Sequence, residues 1–250
     1  MINFLDGYNP WLLALMVNGF LAAIAVVLPQ KLLTPWGYVH GVALGIGIWG
    51  TLGWRGYAIV MAYFLLGSGV TRLGLKRKEA LGIAEKRAGQ RGPENVWGSA
   101  ATGLLCALLT LGANQFWQPL LLLAYVASFS TKLADTTASE VGKAYGNRTF
   151  LITTWQPVPK GTEGAVSLSG TLAGVAGSFI LPLLAWGLAL IDLGGVLICI
   201  IAAFMATNLE SLIGATLQNR WSWLSNEVVN GINTLIGALV ALGLGYWLAL

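Results

Sequence analysis

WQPLLLLAYVASFSTKLADTTASEVGK, Trp117 to Lys143, is the stretch on which the fold turns. Its first half is apolar and lacks the polar–apolar alternation of a membrane-barrel strand. The apolar run, about 117–133, approaches the ~20 residues that carry a helix across a bilayer. Its second half brings Lys132, Asp135, Glu140 and Lys143 into the same segment. The surrounding composition agrees. Of 250 residues, 56% are hydrophobic and 10% charged, with a mean hydropathy of +0.72. A soluble domain carries about 25% charged residues, so this chain cannot cover itself with polar surface. The class is all-α, a polytopic integral membrane protein.

Working outward, eight spans are expected: 11–29, 37–53, 56–72, 96–113, 117–133, 166–190, 194–217 and 228–249. Only Trp54 and Arg55 separate the second from the third, which could form one broken hairpin; seven spans is the alternative count. With eight, 13 of the 14 Lys and Arg residues fall on one side, leaving Arg55 opposite. Basic loops stay in the cytoplasm, so loops 72–95 and 134–165 are expected there, with both termini outside. A seven-span count spoils this segregation. No repeat or low-complexity linker divides the chain, and 1–250 reads as one transmembrane domain. The N-terminal MINFLDGYNP carries an acid and no basic region, unlike a cleavable signal, which favours a bacterial inner-membrane setting. Among 33 glycines, the pairs Gly41/Gly45 and Gly170/Gly174 have the spacing that brings membrane helices close. Cys106 and Cys199 lie in apolar runs and read as small hydrophobes. His40 stands without Cys or His neighbours and reads as structural.

Two polar loops hold the candidate chemistry. The first is TRLGLKRKEALGIAEKRAGQRGPENVWGS, Thr71 to Ser99. Residues 73–88 are expected to form an amphipathic interfacial helix ending at Gly89, with Lys76, Arg77 and Lys78 facing water. Positive-inside anchoring explains those three bases but not the interspersed Glu79 and Glu85. A phosphate site with Mg²⁺ needs both signs, because the ion takes oxygen ligands while Lys and Arg hold phosphoryl oxygens. Lys86, Arg87, Arg91, Asn95 and Ser99 are the phosphate- or nucleotide-binding candidates of this loop.

The second loop contains DTTASEVGK and PKGTEGAVSLSGT. Asp135, Ser139 and Lys143, spaced by four, share a helix face with Glu140 to its side. Ionisable residues at the end of a span point to function; the plain alternative is internal pairing, Lys132 with Asp135 and Glu140 with Lys143. PKGTEGAVSLSGT has the form of a phosphate loop before a helix N-terminus. Gly161 and Gly164 free its backbone, Lys160 supplies charge, and Thr162, Ser167 and Ser169 offer hydroxyls. A simple turn leading into a helix is the rival reading. Farther on, Glu210 sits in an apolar segment and Asn226 and Glu227 follow; they complete the same site, or Glu210 or Glu227 merely pairs with Arg220. No GxxxxGK[ST] motif occurs, no Ser/His/Asp constellation can be assembled, and no basic–aromatic patch for nucleic acid is present.

At these same residues the chain resembles a known family. EALGIAEKRAGQRGPENVWGSA, FSTKLADTTASEVGKAYG, PVPKGTEGAVSLSGTLAG, ESLIGATLQ and SNEVVNGINT are similar to the membrane family containing plant and cyanobacterial phytyl-phosphate kinase. That family supplies phytyl diphosphate for tocopherol synthesis, and the likeness covers about 65–235. It is distantly similar to CTP-dependent polyprenol kinases, which pair an acidic helix with a later Lys/Thr/Glu/Gly loop. The resemblance implies a kinase in a cyanobacterial-type plasma or thylakoid membrane. It would convert phytyl phosphate, or another isoprenyl phosphate, to the diphosphate with a nucleoside triphosphate, CTP or UTP. Asp135, Glu140 and Lys143 would be catalytic; Asp135 and Glu140, joined by Glu210 and Glu227, would hold Mg²⁺; Glu163 belongs to the phosphate loop. Rival functions are a polyprenol kinase, a CTP-dependent cytidylyltransferase, or a transporter of anionic solutes. A transporter would carry ionisable residues at mid-span on several helices, whereas here nearly all lie at one face.

Overall fold

The fold is given by a computed structural model, which describes residues 9–27, 31–218 and 220–248. The N-terminal segment 1–8, read above for targeting signals, lies outside the described residues, as do 28–29 and 249 at the ends of two expected spans. Helix α1 is Pro10–Val27, α2 Pro35–Arg72, α3 Leu75–Ala80, α4 Pro93–Leu109, α5 Trp117–Tyr145, α6 Leu168–Gly187, α7 Leu193–Ile213 and α8 Asn226–Trp247. Side-chain caps start several of them. Thr34, Ser167 and Asp192 accept from the backbone N–H three residues on, at 3.1, 3.1 and 2.7 Å. Each cap satisfies one donor that a helix start leaves unpaired.

Helix α2 is a hairpin. A straight helix would set Gly37 about 45 Å from Gly67, yet a Cβ on Gly37 would touch the Arg91 carbonyl and one on Gly67 the Arg91 guanidinium. Gly45 and Tyr57, on opposite arms, likewise both meet Asn18 of α1. The chain reverses at Gly53, whose φ of +63° and ψ of −162° are open to glycine almost alone. Arms 35–52 and 54–72 thus count separately, and with α1 and α4–α8 they give eight crossing segments. Among the described residues, five segments, α1, α4 with the turn that follows it, α6, α7 with the turn that follows it, and α8, are long and apolar enough to cross a membrane by themselves. The family of short apolar spans read from the sequence is therefore a polytopic all-α bundle.

Helix α5 is its axis, packed against α2, α4, α6, α7 and α8. Tyr125, Phe129 and Leu133 are buried, and Tyr125 donates to the Gly56 carbonyl at 2.7 Å. Leu108, Leu172, Leu197 and Leu239 on the surrounding helices stay exposed, as lipid-facing residues should. Because neighbours shield α5 from lipid, it can run on as a helix through its charged half. It extends to Tyr145, well past the expected end at 133. Gly170 and Gly174 act as read, bringing α6 onto Ala134 and Ala138 of α5; of the other pair, Gly45 abuts Asn18 of α1 but Gly41 meets only Leu33, just before its own helix. Cys106 and Cys199 are buried thiols, and His40 accepts from Trp97 Nε1 at 2.9 Å.

The expected amphipathic helix over 73–88 is not continuous. It is cut into α3, a turn through Gly82 at φ +68° and a short 3-10 turn at Lys86–Gly89. Lys78 does not face water: it is fully buried. Between α5 and α6, β1 (Phe150–Leu151) pairs antiparallel with β2 (Ala165–Val166), folding the second polar loop into a small ribbon over the bundle end.

Candidate functional site

The last three turns of α5 form the floor of a cavity of about 970 Å³ at the polar end of the bundle. Lys132 is buried there. Its Nζ donates to Asp135 Oδ2 and to Asn230 Oδ1 of α8, each at 2.6 Å. Asp135 and Glu210 of α7 line the same cavity and their carboxyl groups interact, and Glu210 accepts from Asn233 Nδ2. Three helices thus converge on one acid pair with one ammonium beside it.

Glu140 is engaged differently. Its carboxylate is buried against the Lys78 ammonium, which also donates to the Thr71 carbonyl at 2.7 Å. Lys143 lies 3.6 Å from Glu140 and 3.3 Å from Glu85. Asp135 and Glu140 therefore do not form a common pair of carboxylates. The partner that tertiary packing brings to Asp135 is Glu210.

Two loops roof the cavity. In the first, Arg87 takes φ +55°, a left-handed value uncommon for a side-chain-bearing residue. Its guanidinium reaches Glu94 and, at 3.0 Å, Asn95 Oδ1. Arg91 Nη1 donates to the Tyr63 hydroxyl at 2.7 Å, and its backbone bridges to Leu32 and Thr34. In the second loop, Gly161 and Gly164 have φ of +83° and +75°. A Cβ at Gly161 would meet Ile83, and one at Gly164 the backbone at Ser211 and Ala215. These two glycines lock the ribbon onto the first loop and onto α7. Burial pushes the Glu163 carboxyl above the ordinary carboxylate range; Lys143 pulls it back, while Glu85 and Asp135 add repulsion.

The site's family follows from its residues. A profile described as integral membrane protein DUF92 matches residues 18–238, which include every lining residue named so far. The chain belongs to the DUF92 family of integral membrane proteins. It is 65% identical over 235 residues to an uncharacterized membrane protein of Synechocystis, covering 94% of this chain and 91% of that one. It is 44% identical over 211 residues to Protein VTE6, chloroplastic, of Arabidopsis thaliana, covering 82% of this chain and 63% of the plant protein. An uncharacterized membrane protein of Methanocaldococcus jannaschii is 35% identical over 190 residues, 75% of each chain. No solved structure matches the chain. The resemblance carried by the polar motifs is thereby borne out.

Within this DUF92 fold, the cavity is lined by Lys86, Arg87, Arg91, Asn95, Ser99, Asp135, Ser139, Glu140 and Lys143. Gly161, Thr162, Glu163, Gly164, Ser167, Glu210 and Glu227 line it too. Lys160 is the exception. It shares a separate surface groove with Arg148 and Pro157. The α6 start is also less open than a bare helix N-terminus, since Ser167 caps it. Glu210 takes Asn233 and Asp135 as partners, not Arg220, and Glu227 accepts weakly from Asn95 at 3.5 Å. Sequence reading missed Tyr63 and Asn233 and underrated Lys132 and Asn230. A polar residue at a buried helix position was the available signal for Asn233, which is fully buried.

Proposed function

We propose that this DUF92 protein is a membrane isoprenoid-phosphate kinase, converting phytyl phosphate or a related isoprenyl monophosphate to the diphosphate. The donor is a nucleoside triphosphate, CTP or UTP. One observation carries the reading: a carboxyl pair, Asp135 and Glu210, shares a single cavity with Lys86, Arg87, Arg91 and Lys143 at the membrane face. The family relationship supports it. An oxygen of the lipid phosphate attacks the terminal phosphorus of the triphosphate; the new P–O bond forms as the bond to the nucleoside diphosphate breaks. That oxygen is anionic near neutral pH, so no histidine base is required, and catalysis rests on positioning and charge neutralisation.

Mg²⁺ fits the residues present. Among the described residues no cluster of three or more His, Cys, Asp or Glu could hold a metal by itself. Mg²⁺, however, is usually held by one or two carboxylates together with substrate phosphates and water. The close approach of Asp135 and Glu210 supplies such a pair, and when bound the ion would neutralise charge on the transferring phosphoryl group. Lys132 and Asn230 hold Asp135 in place, and Asn233 holds Glu210. Arg87 and Glu94 are each more than 40% exposed, and exposed pairs are worth at most about 1 kcal/mol. Phosphate can therefore take over the Arg87 guanidinium at little cost.

The test is purified protein with phytyl phosphate, Mg²⁺ and CTP, UTP or ATP in turn, with products identified by mass. Lipid diphosphate is expected. A CMP-linked lipid would make the protein a cytidylyltransferase, and no product with any donor would defeat the reading. Asp135→Asn and Glu210→Gln should each lower turnover by about 10–100-fold and raise the Mg²⁺ requirement; Tm should stay close to wild type in Glu210→Gln and fall in Asp135→Asn, which leaves the buried Lys132 ammonium without its carboxylate. A Glu210→Gln protein that melts early but turns over normally would remove α7 from the site.

A further inference from the structure

The cavity does not end at the charged residues. It continues between α6 and α7 toward the middle of the bundle, and its walls change character on the way. On α7, Ile200, Phe204, Thr207 and Ser211 fall at helical spacing and all line it. From Ser211 to Ile200 the helix descends about 16 Å, roughly half the hydrocarbon thickness of a bilayer. Polar side chains occupy the shallow end of this stripe and apolar ones the deep end. The opposing wall on α6 carries Thr171 near the polar face and Val175 deeper.

The crevice also opens sideways. Ile201 and Phe204 line the cavity, yet are 49% and 51% exposed on the outer surface of the bundle. They form a lip between the site and surrounding lipid. Ala203, beside them, is fully buried. A free nucleotide or inorganic anion has no use for an apolar extension that opens to hydrocarbon. An amphiphile anchored by its phosphate among Lys143, Arg87 and Arg91 does.

We infer that the α6–α7 crevice is the binding site for the hydrocarbon tail of the lipid substrate, which enters laterally from the bilayer past Ile201 and Phe204. The tail lies along Val175 and the deep half of the α7 stripe while the phosphate reaches the polar site. This assignment rests on the lipid-phosphate reading proposed above. It also gives tail length a physical basis: a tail drawn from hydrocarbon gains by close packing against a fitted wall, and only the length that fits the crevice makes those contacts.

The experiment uses full-length protein in lipid nanodiscs and a phytyl-length monophosphate bearing a diazirine midway along its tail. After photolysis, labelled peptides are mapped by mass spectrometry. Labelling is expected on α6 and α7, around Val175 and Phe204, and should be competed by phytyl phosphate. Val175→Trp fills the crevice; the steric conflict it creates with the tail should raise KM for phytyl phosphate about tenfold and leave the shorter geranyl phosphate unchanged. Leu172→Trp is the control, since Leu172 is 61% exposed on the same helix and does not line the cavity. Competed labelling on other helices, with turnover intact, would overturn the tail site and spare the kinase reading. Labelling that phytyl phosphate does not compete, with no turnover, would overturn both. Should Val175→Trp fail to fold, the wild-type labelling map still decides the matter.

Discussion

Lys78 stands in the run Lys76, Arg77, Lys78, Glu79, and nothing in the run distinguishes it from its neighbours. Lys76 and Arg77 are exposed, but Lys78 is buried with its ammonium on Glu140 and the Thr71 carbonyl. The short α3 turns it inward, so one base of an otherwise solvated group becomes the anchor of the first loop on α5. Breaking a buried pair leaves an uncompensated charge and costs about 3–5 kcal/mol. Lys78→Met should therefore lower Tm markedly, and adding Glu140→Gln should recover most of the loss. Thermal melts in detergent measure both. If Lys78→Met melts normally yet loses turnover, Glu140 serves the reacting groups and not the loop anchor. The same reasoning explains why charge spacing on α5 was only half informative. The i,i+3 partners of Lys132 and Glu140 are visible in the sequence and both form. Lys78, Asn230 and Glu210 come from elsewhere in the chain.

Among the elements, the α2 hairpin depends on one backbone conformation. A Cβ at Gly53 would meet nothing within 4 Å, so space is not the constraint; φ of +63° with ψ near 180° is. Gly53→Ala should cost about 1–3 kcal/mol, read as a fall in Tm, whereas Gly69→Ala, also with nothing within 4 Å of its Cβ and with an ordinary φ, should not. Equal melting of the two variants would refute the strain argument. Two short spans with Trp54 and Arg55 between them were legible as a possible hairpin, since each arm by itself approaches a bilayer's width. The break in the expected 73–88 helix was not legible from amphipathic spacing. There, burial of Lys78 and contact of Gly161 with Ile83 outweigh the local preference to remain helical.

At the scale of the whole molecule, eight crossings put the basic loops at one end of the bundle, and the cavity opens there. The positive-inside bias predicts that this end faces the cytoplasm. A cysteine at Gln90, in an otherwise Cys-free background, should therefore be shielded from an impermeant thiol reagent in intact cells and labelled after permeabilisation. Labelling from outside would invert the topology. Membrane class, number of crossings and the set of polar segments follow from composition and run length, because the bilayer demands long apolar helices whatever their neighbours. The family likeness also lay in contiguous motifs. What tertiary packing alone decided is which charges meet. It drew Asp135 to Glu210 across 75 residues of chain, gave Glu140 to Lys78, left Lys160 outside, and opened the crevice between α6 and α7. Pairing between helices depends on their rotation and depth in the bundle. Those are set by glycines and small side chains at the helix contacts, and no local spacing along a single helix encodes them.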